Sequence, residues 1–129
     1  IDQMNLMGDV NGKNVIMVVD IINSGGTACK AAELLKSYGA KDIYFMASHG
    51  LLSSNALEKI ENSPFKKVVI TNTVLSNEDV KKSELIDIID VSRLCSEAIK
   101  RVQDGNSLTL LYDSIDFQND LYYDVNILN

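Results

Sequence analysis

The sequence predicts an α/β fold in which a mainly parallel sheet is flanked by helices. Three observations carry that prediction. An unbroken apolar run, Val15 to Val19, reads as a strand buried on both faces, as in the centre of a parallel sheet. Ala28, Ala31, Ala32 and Leu35 then fall at helical spacing on one face. A second strand, Lys41 to Ala47, follows Gly39, so strand, helix and strand form a βαβ unit.

Each element can be justified in order. Gly8 to Asn14 is a turn-rich approach, and Asn14 to Val19 is the first strand. Thr27 to Ser37 is the first helix, with Lys30, Glu33 and Lys36 on its wet face and Gly39 as its stop. Lys41 to Ala47 is the second strand, and Ser48-His49-Gly50 follows it at the same sheet edge as Asp20. Ser53 or Ser54 caps a short second helix through Ile60, which turns Ala56, Leu57 and Ile60 inward. Asn62-Ser63-Pro64 ends that helix, because proline disfavours helical backbone in the residue before it.

Lys67 to Thr71 is a third strand, Asn72 to Lys82 a polar loop, and Leu85 to Asp90 a fourth strand. Ser92 to Gln103 is a third helix with Cys95, Ala98, Ile99 and Val102 at helical spacing, stopped by Gly105. Ser107 to Leu111 is a last short apolar strand. Asp113 to Asn129 has no clear period and reads as an arm on a partner or a frayed tail.

With 129 residues the chain is long enough for one domain with a real core. It does not begin with Met, which suggests a piece of a longer polypeptide. A net charge of −6 and a pI near 4.6 argue against a nucleic-acid surface. Cys29 and Cys95 both fall on apolar helix faces and read as buried, reduced thiols. No signal peptide is visible and no apolar run approaches membrane-spanning length, so a cytoplasmic location without membrane partners is expected.

The chemistry concentrates in Asp20-Ile21-Ile22-Asn23-Ser24-Gly25-Gly26-Thr27, between the first strand and the first helix. Glycines permit close approach of a ligand, and N–H groups at a helix start favour an anion. Ser24 and Thr27 add hydroxyl donors. The alternative is an ordinary helix cap, with Ser24 or Thr27 capping and the glycines making the turn. The loop has no lysine, so it is not the phosphate loop of ATPases and GTPases. Asp20 sits beyond a strand's carboxyl end, where open parallel sheets bind ligands, and a carboxylate there accepts from sugar hydroxyls. His49, the single histidine, reads either as a general base or as a residue holding backbone groups, the second being preferred because no partner is spaced around it.

The loop resembles the phosphoribosyl-binding loop of the type I phosphoribosyltransferase fold. Flanking text narrows the resemblance to ribose-phosphate diphosphokinase, the phosphoribosyl pyrophosphate (PRPP) synthetase family. It runs from Gly8-Asp9-Val10 to about Tyr112 and includes Gly39-Ala40-Lys41, Ser48-His49-Gly50, Val69-Ile70-Thr71-Asn72-Thr73 and Ser96-Glu97-Ala98-Ile99. These pieces are similar to the C-terminal half of that enzyme, which implies a domain over 1–112 and a tail over 113–129.

By this resemblance, Asp20, Asn23, Ser24, Gly25, Gly26 and Thr27 bind ribose 5-phosphate, and Asp20 helps seat Mg2+. The family moves pyrophosphate from ATP to ribose 5-phosphate, giving PRPP and AMP, with ATP held by the N-terminal half. It assembles as homo-oligomers with a regulatory phosphate site, near which Ser107 and Thr109 match hydroxyl positions. Those two read equally well as solvent-facing hydroxyls of a strand.

The loop also departs from the family. Val19 stands where the first of two adjacent aspartates is expected, and Asn23 replaces a third acid. Weaker sugar binding is the expected result, with a phosphate half that is unharmed or better. The resemblance therefore implies either the enzyme's C-terminal domain with an unusual loop, or a non-catalytic synthetase-associated regulatory subunit. A phosphoribosyltransferase proper shares the loop but matches less of the flanking text.

Overall fold

The computed structural model describes residues 6–53, 55–113 and 123–124. Its elements are β1 (Val15–Ile22), α1 (Gly26–Ser37), β2 (Ile43–Gly50), α2 (Ala56–Glu61), β3 (Phe65–Thr71), α3 (Glu78–Lys82), β4 (Ile86–Asp90), α4 (Ser92–Gln103), α5 (Thr109–Asp113) and β5 (Tyr123–Asp124). The sheet runs β1-β2-β3-β4-β5. Neighbours from β1 to β4 pair in parallel, and β5 pairs antiparallel to β4. The expected α/β architecture is therefore present.

The core lies on one face of this sheet. Along β2, Ile43, Phe45 and Ala47 are buried, while Met46 and Ser48 are exposed, the period-two pattern of a strand with one covered face. Val68, Ile70, Ile86 and Ile88 extend the buried layer across β3 and β4. The helices cover it with Ala32 from α1, Ala56 and Ile60 from α2, and Val80 from α3. Phe45 and Phe65 stack at one end, ring centroids 5.1 Å apart. Gly39 stops α1 as expected: at φ 87° it lets Gly39 N–H and Ala40 N–H return to Lys36 O and Leu35 O.

Several sequence expectations need correction. The first strand runs on to Ile22, so Asp20 lies inside β1 rather than at its tip. β1 is an edge strand and not a central one, and Ile16 and Val18 are 61% and 73% exposed. Its two-sided apolar pattern specifies a strand that expects cover, and the described residues cover one side. Ser48-His49-Gly50 belongs to β2 itself, because pairing with Ile21 and Ile22 extends the ladder that far. Asn55 is the N-cap of α2, without a side-chain hydrogen bond, so Ser53 does not cap it; Ser54 lies outside the described residues.

The stretch Asn72 to Lys82 is not all loop. Asn77 accepts from Val80 N–H through its side chain at 2.9 Å and starts α3. Ser107 to Leu111 is not a strand, since Thr109 opens α5. The bounds expected for the third helix match α4, but Cys95 is exposed and α4 has no buried residue. Its apolar face exists, with Ile99 71% exposed. Cys29 is buried as expected. Most of the expected tail, 113–129, lies outside the described residues.

Candidate functional site

The site is built where β1 passes into α1. Ile22 is buried and anchors the strand's last residue. Its carbonyl accepts Leu51 N–H at 2.9 Å and Leu52 N–H at 3.2 Å, and Asn23 O accepts Ser53 N–H at 3.1 Å. The Ser53 hydroxyl also donates to Asn23 Oδ1. The segment after β2 is thereby stitched to the loop after β1. Leu52 takes a left-handed φ of 48° to make these bonds, a conformation that costs a non-glycine residue energy.

Gly25 is the N-cap of α1, with φ 70° and ψ −9°. Glycine suits this backbone because it has no Cβ to strain there. No side chain caps the helix, so the reading of Ser24 or Thr27 as an ordinary cap fails. The first helical hydrogen bond is Cys29 N–H to Gly25 O, which leaves the N–H groups of Gly26, Thr27 and Ala28 ahead of the ladder. These groups carry the positive end of the helix dipole.

A cavity of about 290 Å³ opens beside them. Asn23, Ser24, Gly25, Gly26 and Thr27 form its polar side, and Met17, Val19, Ile21 and Phe45 its apolar side. No lining side chain is charged. An anion in it would be held by N–H groups, hydroxyls and the dipole. The structure thus brings together five of the six loop residues expected to bind substrate. Asp20 is exposed and is not among the lining residues, which include its strand neighbours Val19 and Ile21. Ser107 and Thr109 are exposed and do not line it either.

Among the described residues, no group of three or more His, Cys, Asp or Glu could hold a metal ion. Asp20 offers a single carboxylate, so an octahedral magnesium ion there would take its other oxygens from water and substrate phosphates.

A second polar cluster at the β2 and β3 ends was not legible in the sequence. His49 Nδ1 lies 2.7 Å from Thr73 Oγ1. The hydroxyls of Thr71 and Thr73 reach Ser48 O at 2.6 and 3.0 Å. His49 thus holds a neighbouring hydroxyl, close to the structural role preferred for it. Beside it, Asp90 accepts Asn72 Nδ2–H and Ser92 N–H, both at 2.8 Å. Hydrogen bonds from Ser92, then Asn72, hold the Asp90 carboxyl below its ordinary range. The sequence signal that could have marked this cluster is the Thr-Asn-Thr run at a strand end, 71–73.

Comparison with known proteins extends this picture. A family model described as the phosphoribosyl synthetase-associated domain matches residues 2–113. A ribose-phosphate pyrophosphokinase of Chlorobaculum tepidum is 43% identical over 111 residues, which are 86% of this chain and 34% of that protein. One from Caldanaerobacter subterraneus subsp. tengcongensis is 45% identical over 109 residues, 84% of this chain and 34% of that protein. The crystal structure of phosphoribosylpyrophosphate synthetase from Mycobacterium smegmatis superposes with a TM-score of 0.74 at 34% identity, covering 78% of this chain and 33% of that one. The chain spans about a third of the length of the curated relatives it matches.

Proposed function

Because the chain belongs to the phosphoribosyl synthetase-associated domain family, we propose that it is the C-terminal, ribose 5-phosphate-holding part of a ribose-phosphate diphosphokinase. The fold of this part is type I phosphoribosyltransferase-like, with residues 1–112 as the domain and 113–129 as its tail. The observation that carries the reading is the uncapped start of α1 facing a cavity lined by Asn23 to Thr27. A phosphate there takes N–H donors from Gly26, Thr27 and Ala28 and hydroxyl donors from Ser24 and Thr27.

Positioning the sugar phosphate is this chain's share of the transfer of pyrophosphate from ATP to ribose 5-phosphate, which yields PRPP and AMP. The ATP site belongs to the part of the relatives' length that this chain does not span. Asp20 would offer one carboxylate to a magnesium ion carried by the substrate phosphates, whose charge that ion would neutralise. Assembly as a homo-oligomer, with Ser107 and Thr109 near a regulatory phosphate, is part of the same proposal, as is a cytoplasmic location. Among the described residues, no helix is long and apolar enough to cross a membrane.

A second reading is favoured by one specific observation. Val19 and Asn23 stand where the family resemblance calls for acids, so the loop keeps its phosphate cradle while its sugar grip is weakened to the one acid, Asp20. That pattern suits a non-catalytic, synthetase-associated subunit. Calorimetric titration of the folded chain with ribose 5-phosphate tests the shared premise. Saturable binding that inorganic phosphate competes away is expected, and no binding of either compound would overturn both readings. AMP formation from ATP and ribose 5-phosphate by the full polypeptide separates them, since the regulatory subunit forms none.

A further inference from the structure

The hydrogen bonds around His49 decide which of its ring nitrogens carries the proton. Nδ1 lies 2.7 Å from Thr73 Oγ1. The Thr73 hydroxyl has Ser48 O as an acceptor at 3.0 Å, and the Thr71 hydroxyl has the same carbonyl at 2.6 Å. Thr71 Oγ1 in turn accepts Thr73 N–H at 3.2 Å. A hydroxyl has one proton to give, and a carbonyl oxygen has two lone pairs. With the ring proton on Nδ1, the imidazole donates to Thr73 Oγ1 and both hydroxyls donate to Ser48 O. With the proton on Nε2, Thr73 must turn its hydroxyl to Nδ1 and give up Ser48 O. The Nδ1–H tautomer makes one more hydrogen bond, which favours it. Nε2 is then a lone-pair acceptor. No described residue pairs with it, and His49 is exposed.

The register places this acceptor beside the loop cavity. His49 pairs with Ile21 across the parallel ladder, about 4.8 Å away, and the two share a face of the sheet. Ile21 and Phe45 line the cavity, and His49 follows Phe45 by four residues on β2, so it stands on that same face. Thr73 follows β3, so Nδ1 is turned to the β3 side of β2. Nε2, across the ring, is turned away from it, and β1 with its loop lies on that other side of β2. We propose that His49 Nε2 accepts a hydroxyl hydrogen from the sugar of a sugar phosphate bound at the loop, with Thr73 as the positioning residue that sets the tautomer. The inference rests on ribose 5-phosphate as the ligand, whichever groups hold its phosphate. It adds an uncharged acceptor to Asp20 where Val19 and Asn23 leave the loop short of acids.

His49 is the single histidine, so NMR of the 129-residue chain reads its ring nitrogens directly. In the ligand-free chain, the couplings of the neutral ring should place its proton on Nδ1. Ribose 5-phosphate, titrated in parallel by calorimetry, should shift the Nε2 resonance at saturation, and inorganic phosphate should leave it in place. A ring proton found on Nε2 would overturn the inference. So would saturation by ribose 5-phosphate with Nε2 unmoved, or an equal shift with inorganic phosphate; both leave the ligand reading standing. Failure of ribose 5-phosphate to bind removes the ligand reading and the inference together. Thr73→Val keeps the side-chain shape but cannot accept Nδ1–H. It should populate the Nε2–H tautomer and weaken ribose 5-phosphate about two- to tenfold, with inorganic phosphate unchanged. Equal weakening of both ligands would overturn the positioning role. The spectra of the unmodified chain decide the inference even where that variant fails to fold.

Discussion

Ser53 donates its hydroxyl proton to Asn23 Oδ1, and Ser53 N–H donates to Asn23 O. Two hydrogen bonds across thirty residues of sequence therefore fix the first residue of the loop. Ser53→Ala removes one bond and leaves the other. The expected effect is a loss of about 0.5–1.5 kcal/mol in loop order, or roughly two- to tenfold in phosphate affinity. Isothermal titration with inorganic phosphate measures it; unchanged affinity would show that the loop is held without the hydroxyl.

Gly25 and Gly26 are adjacent but should respond differently to alanine. Gly25 has φ 70°, and a Cβ there would touch Ile60 Cγ1 at 3.4 Å. Gly25→Ala should cost about 1–2 kcal/mol, lowering the melting temperature by roughly 4–8 °C. Gly26 lies in α1, and a Cβ there meets nothing within 4 Å. Gly26→Ala should stabilise the helix by about 0.5–1 kcal/mol while weakening phosphate binding, because its methyl stands where the anion approaches. Thermal melts and titrations of the two variants check both directions.

How much of this was legible depended on the range of the interaction. Strand and helix positions followed from apolar spacing and from the stops at Gly39 and Gly105, whose φ values are 87° and 70°. The short helix α3 was hidden because Val80 is its one buried residue and its neighbours are charged. The Ser-Leu-Thr-Leu alternation that reads as a strand instead runs into α5, whose first two residues are Thr109 and Leu110. Periodicity told which residues of α4 share a face, but it carries no information on what covers that face. Cys95 therefore came out exposed. At the site, the glycine loop was legible from local composition. The Asn23–Ser53 and His49–Thr73 contacts join distant segments and leave no local signature.

The cysteines provide a test of that burial pattern. Cys95 is exposed, whereas burial pushes the Cys29 thiol above its ordinary range and its Sγ contacts Lys59 O at 3.6 Å. A thiol reagent at pH 8 should modify one cysteine quickly and the second only at the rate of unfolding. Peptide mapping should place the fast label on Cys95; fast labelling of Cys29 in the folded chain would contradict the packing of α1.

Acid should weaken the β4–α4 junction. Hydrogen bonds from Ser92 and Asn72 depress the folded-state pKa of Asp90. The unfolded value is about 3.9. The carboxylate's contribution is fully present above that value and is lost as pH falls through the lower, folded one. Urea midpoints of the unmodified chain and of Asp90→Asn should therefore converge as the solution is acidified below about pH 4. A gap that stays constant to low pH would show that the charge does not stabilise the junction.

Restoring the acids should restore the sugar grip. Val19 lines the cavity and is 37% exposed on an edge strand, so a carboxylate placed there keeps contact with water. Aspartate at position 23 retains an oxygen for the Ser53 hydroxyl, so the loop keeps its stitch. The double change Val19→Asp, Asn23→Asp then adds acceptors for sugar hydroxyls without altering Ser24 to Thr27. A single added hydrogen bond to a charged group is worth about 1.5–3 kcal/mol, so ribose 5-phosphate should bind at least roughly ten- to a hundredfold more tightly. Inorganic phosphate should bind more weakly, because two new negative charges stand near it. Opposite movements of the two affinities in parallel titrations distinguish this account from a general change in stability, which would move both the same way.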